Sequence, residues 1–156
     1  MGKTPIKQRL HKLKDNNETI REQATVELWR IWFEQKGEFG LEVLRRAQVH
    51  LEAGNVVKSE ELLTLTIASQ PDFAEAWNRR AVLYYTQEEY EKARDDCQEA
   101  IKLNPHHFGA WHGLGLSYAA LGNYLAAIKA FRKALEIQPY ALVNQKLILE
   151  CTARLN

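Results

Sequence analysis

An all-α fold, built as a solenoid of antiparallel helix pairs, is predicted by three observations. The first is recurrence at a fixed spacing of 34 residues: Ala76 with Ala110, Trp77 with Trp111, Tyr84 with Tyr118, Tyr90 with Tyr124, Ala93 with Ala127, Ala100 with Ala134, and Pro105 with Pro139. A period in the range of about 20–50 residues marks stacked supersecondary units. The second is the kind of residue that recurs. Small residues set how closely helix axes approach, aromatic ones fill the space beside them, and proline stops a helix. The third is the proline series itself: Pro71, Pro105 and Pro139 bias Gln70, Asn104 and Gln138 away from helical dihedrals, so each closes a unit.

Residues 1–39 read as an N-terminal helical extension. Its start is basic (Lys3, Lys7, Arg9, Lys12 and Lys14), and Ile6, Leu10 and Leu13 have the spacing of a short helix. No apolar stretch follows the cations, so the start does not have the form of a secretory signal, and "MGKTPI" lacks the Ser/Thr of a myristoylation motif. A longer helix is predicted over 16–36, opened by Asp15 and Glu18 at capping-box spacing. Ile20, Ala24, Leu28, Ile31 and Trp32 form one apolar stripe along it, and Val26, Trp29 and Phe33 a second. A helix apolar on two sides is buried on two sides. It must pack on the first helix pair and on something else, either the preceding short helix or another chain. Residues 20–39 are therefore a candidate surface for a homo-oligomer, centred on Trp29, Trp32 and Phe33.

Three units follow, over 40–73, 74–107 and 108–141, each two helices joined by a tight turn. The turn "EAGN" at 52–55 lines up with "QEEY" (87–90) and "LGNY" (121–124). The first unit is degenerate, with Val43, His50 and Ser59 where the later units carry Trp, Tyr and Ala. Asp72 and Glu75 offer a capping-box start to the second unit. Stacked arrays expose an apolar face at each end and need caps. Residues 142–156 fit a C-terminal capping helix, packing through Leu142, Leu147, Leu149 and Cys151 or Leu155.

The pattern resembles the tetratricopeptide repeat (TPR), most fully over 108–141 with Trp111, Leu114, Gly115, Tyr118, Ala127, Phe131, Ala134 and Pro139. Residues 74–107 share it but depart at Arg80, Ala81 and Cys97. "WRIWFEQKG" and "QPYALVNQKLILECTARL" are similar to stretches of short TPR proteins of cyanobacteria. The resemblance implies a right-handed α-solenoid of three TPR motifs whose first helices line a concave groove. Carried over position by position, it places Leu44, Arg45 and Gln48 there from the first unit. From the second it places Glu75, Asn78, Arg79, Val82 and Tyr85, and from the third Gly109, His112, Gly113, Leu116 and Ala119. Lys146 of the cap joins them. The small residues of the third unit would leave it open and smooth, with Leu116 exposed to a bulky or helical partner. Chaperone-adaptor TPRs clamp a C-terminal carboxylate with Lys, Asn and Arg at set groove positions. This chain has Leu44, Gln48, Arg79, Gly109 and Gly113 at those places, so the clamp is absent.

The groove assignment divides two arginine doublets. Arg46 and Arg80 fall at a position that packs between helices, where each is expected to brace the stack against an acid: Glu60 or Glu61 for Arg46, Asp95 or Asp96 for Arg80. Arg45 and Arg79 fall on the groove. Beside Gln48 and Asn78, their planar donors suit a carboxylate or phosphate on a partner. The competing reading is ordinary surface charge, neutralised by Glu52 or Glu75.

Composition excludes more than it identifies. Net charge is +1, so no whole-chain field points to nucleic acid or a membrane. No apolar run approaches the roughly 18 residues of a membrane span. Cys97 and Cys151 lie far apart and suit a reducing compartment, which makes the cytoplasm the expected location. His106, His107 and His112 lack a carboxylate or cysteine at ligand spacing, so no metal or other cofactor is expected. P-loop, dinucleotide and zinc-protease motifs are missing, and no nucleophile has a base beside it. The reading is non-catalytic: an adaptor or scaffold that holds a partner protein or peptide. Self-association through the Trp/Phe-rich helix is the first alternative. Docking of the basic N-terminus to an anionic membrane or nucleic acid, without specific readout of the latter, is the second.

Overall fold

The computed structural model describes residues 5–155, among which it forms nine helices and no strand. In order they are α1 (Ile6–Lys12), α2 (Glu18–Phe33), α3 (Gly37–Glu52), α4 (Val56–Ser69), α5 (Ala74–Thr86), α6 (Tyr90–Leu103), α7 (Phe108–Ala120), α8 (Tyr124–Ile137) and α9 (Leu142–Arg154). Lys3 and the first four residues of "MGKTPI" lie outside the described residues. No helix among those described is long and apolar enough to cross a membrane.

Helices α3/α4, α5/α6 and α7/α8 form three hairpins. Each stacks on the next, and α9 packs on α8. Gln70, Asn104 and Gln138 leave the helical region just before their prolines, with φ of −132°, −144° and −123°. The hairpin turns hold left-handed residues at Gly54, Glu88 and Gly122, spaced by the repeat period. That spacing moves the first turn one residue later than the predicted 52–55. Glu88 adopts φ +60° without being glycine, a strained choice.

Packing inside each hairpin follows one pair of positions that exchange volume. They hold Ala47 with Leu63, Ala81 with Cys97, and Gly115 with Phe131, all buried. A Cβ on Gly115 would come within 2.5 Å of the Phe131 ring, so the largest partner demands no side chain at all. Ala81 thus departs from glycine because Cys97 departs from phenylalanine.

The arginine doublets divide differently in the two hairpins. Arg80 donates from Nε and Nη2 to both carboxylate oxygens of Asp96, at 2.7 and 2.9 Å, and from Nη1 to Thr64 Oγ1 at 3.1 Å. Its guanidinium also lies 5.3 Å from the Trp77 ring. Arg46 does not match it: its side chain is 67% exposed and pairs with Glu42 on its own helix at 3.5 Å, not with Glu60 or Glu61. The cause lies opposite. Where the second hairpin carries Asp96, the first carries Leu62, and Glu60 instead accepts from Tyr84 Oη at 2.7 Å.

Helix α2 starts later than predicted. Asn17, not Asp15, caps it, accepting from the Thr19 amide at 2.8 Å, while Asp15 accepts from the Asn17 amide. At about 1.5 Å per residue its sixteen residues span about 24 Å. The helix runs along the inter-hairpin turns in reverse order. Near its start Asn16 accepts from Tyr140 Oη at 3.2 Å and the Arg21 guanidinium covers the Tyr140 ring at 3.9 Å. Its last turns carry Trp29 and Trp32 onto His107. Just beyond its end, Gln35 donates to the Asp72 carbonyl and Lys36 pairs with the Asp72 carboxylate at 2.8 Å. Asp72 is therefore not a cap, and Lys36 holds its carboxyl below the ordinary aspartate range. On its other side α2 packs on α1 through Leu10 and Leu13. Of the two occupants offered for this helix, the short helix or a second chain, the short helix is the one seen, and Trp29, Trp32 and Phe33 are packed within this chain. Among large apolar residues of 20–39 only Val26 and Phe39 stay exposed.

The C-terminal helix caps the stack through only part of the expected set, Leu147 and Cys151. Asn144, Leu147, Ile148 and Cys151 pack inward, whereas Leu142, Leu149 and Leu155 are exposed.

Candidate functional site

Helices α3, α5 and α7 stand side by side as the first members of their hairpins, and the predicted groove residues share one stripe on each. Arg79 Nη2 donates to Gln48 Oε1, joining α5 to α3, and the Arg79 guanidinium lies 5.6 Å from the Phe33 ring. One turn on, Val82 is 44% exposed. Tyr85 is half-buried and edge-on to Tyr90, with centroids 5.2 Å apart. Burial raises the Tyr85 hydroxyl above the ordinary tyrosine range. Arg45 is exposed and held by Glu42 at 2.7 Å. Lys146 is exposed on α9.

The remaining predicted residues are engaged elsewhere. His112 Nδ1 hydrogen-bonds Asn144 Oδ1 at 2.8 Å, tying α7 to α9. Leu116 is half-buried against the cluster that α9 completes, so it is not the open surface expected. Nor is the third hairpin bare at its start. A Cβ on Gly109 would fall 2.6 Å from Trp29 Cη2, and one on Gly113 would fall 3.1 Å from Cys97 Sγ. Gly109 is a seat for Trp29.

Glu75 and Asn78, expected in the groove, are buried at 0% and 5% exposure. They belong to a polar node that the sequence reading missed. His107, itself wholly buried, caps α7 by accepting the Ala110 amide at Nδ1 (3.0 Å). Its proton therefore sits on Nε2, which donates to Glu75 Oε1 at 2.7 Å. Asn78 Nδ2 donates to Glu75 Oε2 at 3.3 Å. Glu75 lies in the first turn of α5, where unpaired amides favour a negative charge. Trp32 stacks on the His107 ring at 4.4 Å and Trp29 meets it edge-on at 5.2 Å. The signal was present in the repeat: 34 residues before His107 stands Phe73, also fully buried. A histidine at a core position needs a buried partner.

Helix α2 therefore covers the groove where α5 and α7 begin. What stays open lies further along these helices, around Arg79–Gln48, Val82, Tyr85 and Thr86. The surface mixes a forked cation, an amide, an aliphatic side chain and a phenol, with no nucleophile–base pair among them. It is suited to binding a polypeptide segment.

Comparison with known proteins agrees with this architecture. Residues 74–107 and 109–140 match the family model of the tetratricopeptide repeat. Over 79 residues the chain is 37% identical to a TPR repeat-containing protein of Rhizobium etli, a match covering 51% of this chain and 39% of that protein. The chain thus spans well under half the length of that relative. Among solved structures, the first TPR of Spaghetti bound to the HSP90 peptide SRMEEVD superposes with a TM-score of 0.71 at 20% identity, over 74% of this chain and 91% of that one. The second TPR of Spaghetti, bound to the same peptide, superposes at 0.60 with 26% identity, over 62% and 90%.

Proposed function

Because this chain is a tetratricopeptide-repeat protein, its repeats lying at 74–107 and 109–140, we propose that it works as a non-catalytic adaptor. It holds a segment of a partner protein in the part of the groove that α2 leaves open. The α3/α4 hairpin is read as a divergent first repeat that supplies the near wall. One observation carries the reading: Arg79, tied to Gln48 across two hairpins, stands beside the exposed Val82 and the half-buried Tyr85. A fork of donors flanked by apolar and phenolic surface fits a peptide carrying one acidic and one apolar anchor. Peptide occupancy in the second TPR of Spaghetti supports the class of ligand, though not its identity. The chain offers Leu44, Gln48, Arg79, Gly109 and Gly113 at the carboxylate-clamp positions, and Leu44 is buried while Gly109 lies under Trp29. A chaperone tail held by that clamp is therefore not the proposed ligand. A cytoplasmic setting is part of the proposal, supported by two buried cysteines left unpaired.

Selection from a random-peptide display library tests this. Peptides enriched on the native chain are expected to lose at least about tenfold in affinity for Arg79→Glu/Val82→Asp, with helicity by circular dichroism unchanged. Selected peptides that bind this variant as well as the native chain would remove the groove from the function.

A further inference from the structure

Away from the groove, a cleft of about 1150 Å³ opens between α1, the α6–α7 turn and the end of α8. It shares none of the groove residues. Ile6, Leu10, Trp111 and Ile137 give it an apolar lining. Lys7, Lys12, Lys14 and Lys133 also line it, against the single acid Glu136. Only Lys133 has a carboxylate partner among the described residues, at 3.8 Å from Glu136, whereas Lys7, Lys12 and Lys14 have none within 4 Å. Four lysines and one glutamate leave about three net positive charges here, in a chain whose total is +1. This apolar hollow thus carries a larger net positive charge than the whole chain.

We infer that this cleft is a second docking site, which receives an acidic amphipathic peptide segment of a partner protein. The lysines supply the charge complement and the apolar lining supplies the burial. The occupant is a chain segment because the volume exceeds the roughly 300–1,000 Å³ usual for small-molecule pockets. A concave hollow meets a flat bilayer poorly. Nucleic acid fits less well because the large apolar residues of the lining are mostly aliphatic, Ile6, Leu10 and Ile137, with Trp111 half-buried, so no row of aromatic side chains is set out for successive bases.

Fluorescence anisotropy with a fluorescein-labelled peptide of repeating Glu-Leu-Glu-Glu-Leu units tests the inference. The native chain is expected to bind it. Lys7→Glu/Lys14→Glu should weaken binding by at least about tenfold, and Ile6→Asp should weaken it without changing any lysine. Lys92→Glu/Lys102→Glu, which makes the same charge change on α6, should leave it unaltered, as should the groove variant Arg79→Glu/Val82→Asp. The groove proposal can thus fail without this one failing, and the reverse. Absence of binding, equal losses in the two lysine pairs, or indifference to Ile6→Asp would each overturn the site. So would tighter binding of a thymidine oligonucleotide or of phosphatidylserine vesicles that is lost in Lys7→Glu/Lys14→Glu, since either would reassign the lysines to another class of partner.

Discussion

Substituting Glu75 should cost stability out of proportion to its size, and by an amount that separates two chemical reasons. The side chain is wholly buried and accepts from two donors, His107 Nε2 at 2.7 Å and Asn78 Nδ2 at 3.3 Å. His107 cannot turn to another acceptor, because its ring is stacked on Trp32 and its Nδ1 is committed to the Ala110 amide. Glu75→Ala therefore strands a buried N–H, which costs about 1–3 kcal/mol. It also removes four heavy atoms from a closed space, so the expected total is about 2–4 kcal/mol. Glu75→Gln keeps the shape. Its amide oxygen can accept from His107, and Asn78 needs only to rotate its own amide to accept from the new NH₂ group, so the expected cost is about 1 kcal/mol or less. Urea melts followed by circular dichroism and by tryptophan emission measure both, since Trp29 and Trp32 flank the node. At about 2–4 °C per kcal/mol for a chain of this size, a 3 kcal/mol loss lowers Tm by about 6–12 °C. Equal losses for Ala and Gln would refute the tautomer argument. A loss below about 0.5 kcal/mol for Ala would refute the burial argument.

Three further outcomes are expected. Burial raises the Asp96 carboxyl above the ordinary aspartate range despite its two bonds from Arg80, so this pair positions helices more than it stabilises them. Arg80→Met alone should cost about 3–5 kcal/mol in a urea melt, and Arg80→Met/Asp96→Leu should recover most of that loss; a double variant no better than the single one refutes the reasoning. Glu88→Gly should stabilise by about 0.5–1 kcal/mol, by relieving a left-handed residue whose neighbours in the repeat are Gly54 and Gly122; a fall in Tm would count against it. Burial pushes the Cys97 thiol up to about 12, so about one thiol in ten thousand is ionised at pH 8, and the native Cys151→Ser variant should react with a disulfide reagent at least about a hundredfold more slowly than the same variant in urea. Equal rates would show that Cys97 is not where its packing puts it.

The hairpins were legible because each is written in local, repeated chemistry. Three prolines end helices, and small and large residues alternate at fixed spacing. Arg80 lies opposite Asp96, within one hairpin of it. The path of α2 was not legible from such signals. Its decisive contacts join Asn16 to Tyr140 and Trp29 to His107, separations at which no periodicity survives. Its traces in the sequence were oblique: a glycine at 109 that exposed a helix without apparent need, and a histidine at 107 where the previous unit holds Phe73. The fate of Arg46 was missed for a simpler reason. A position in a repeat predicts a role only when its partner position repeats too, and Leu62 does not repeat Asp96.

A solenoid repeat ordinarily touches only its neighbours, so its curvature is the sum of small independent interfaces. Helix α2 and the residues flanking it break that rule by touching the turn before each of α5, α7 and α9: Lys36 meets Asp72, Trp32 meets His107, and Asn16 with Arg21 meets Tyr140. A change in the angle between any two hairpins would have to shear α2 against at least one of these anchors. For a partner seated as proposed on the stripe from Gln48 through Arg79 to Val82, such bracing would remove part of the ordering cost of binding. The same helix closes one end of the groove, placing Trp29 on Gly109 and burying Glu75 beneath His107. Rigidity and a shortened groove are thus two consequences of one packing decision.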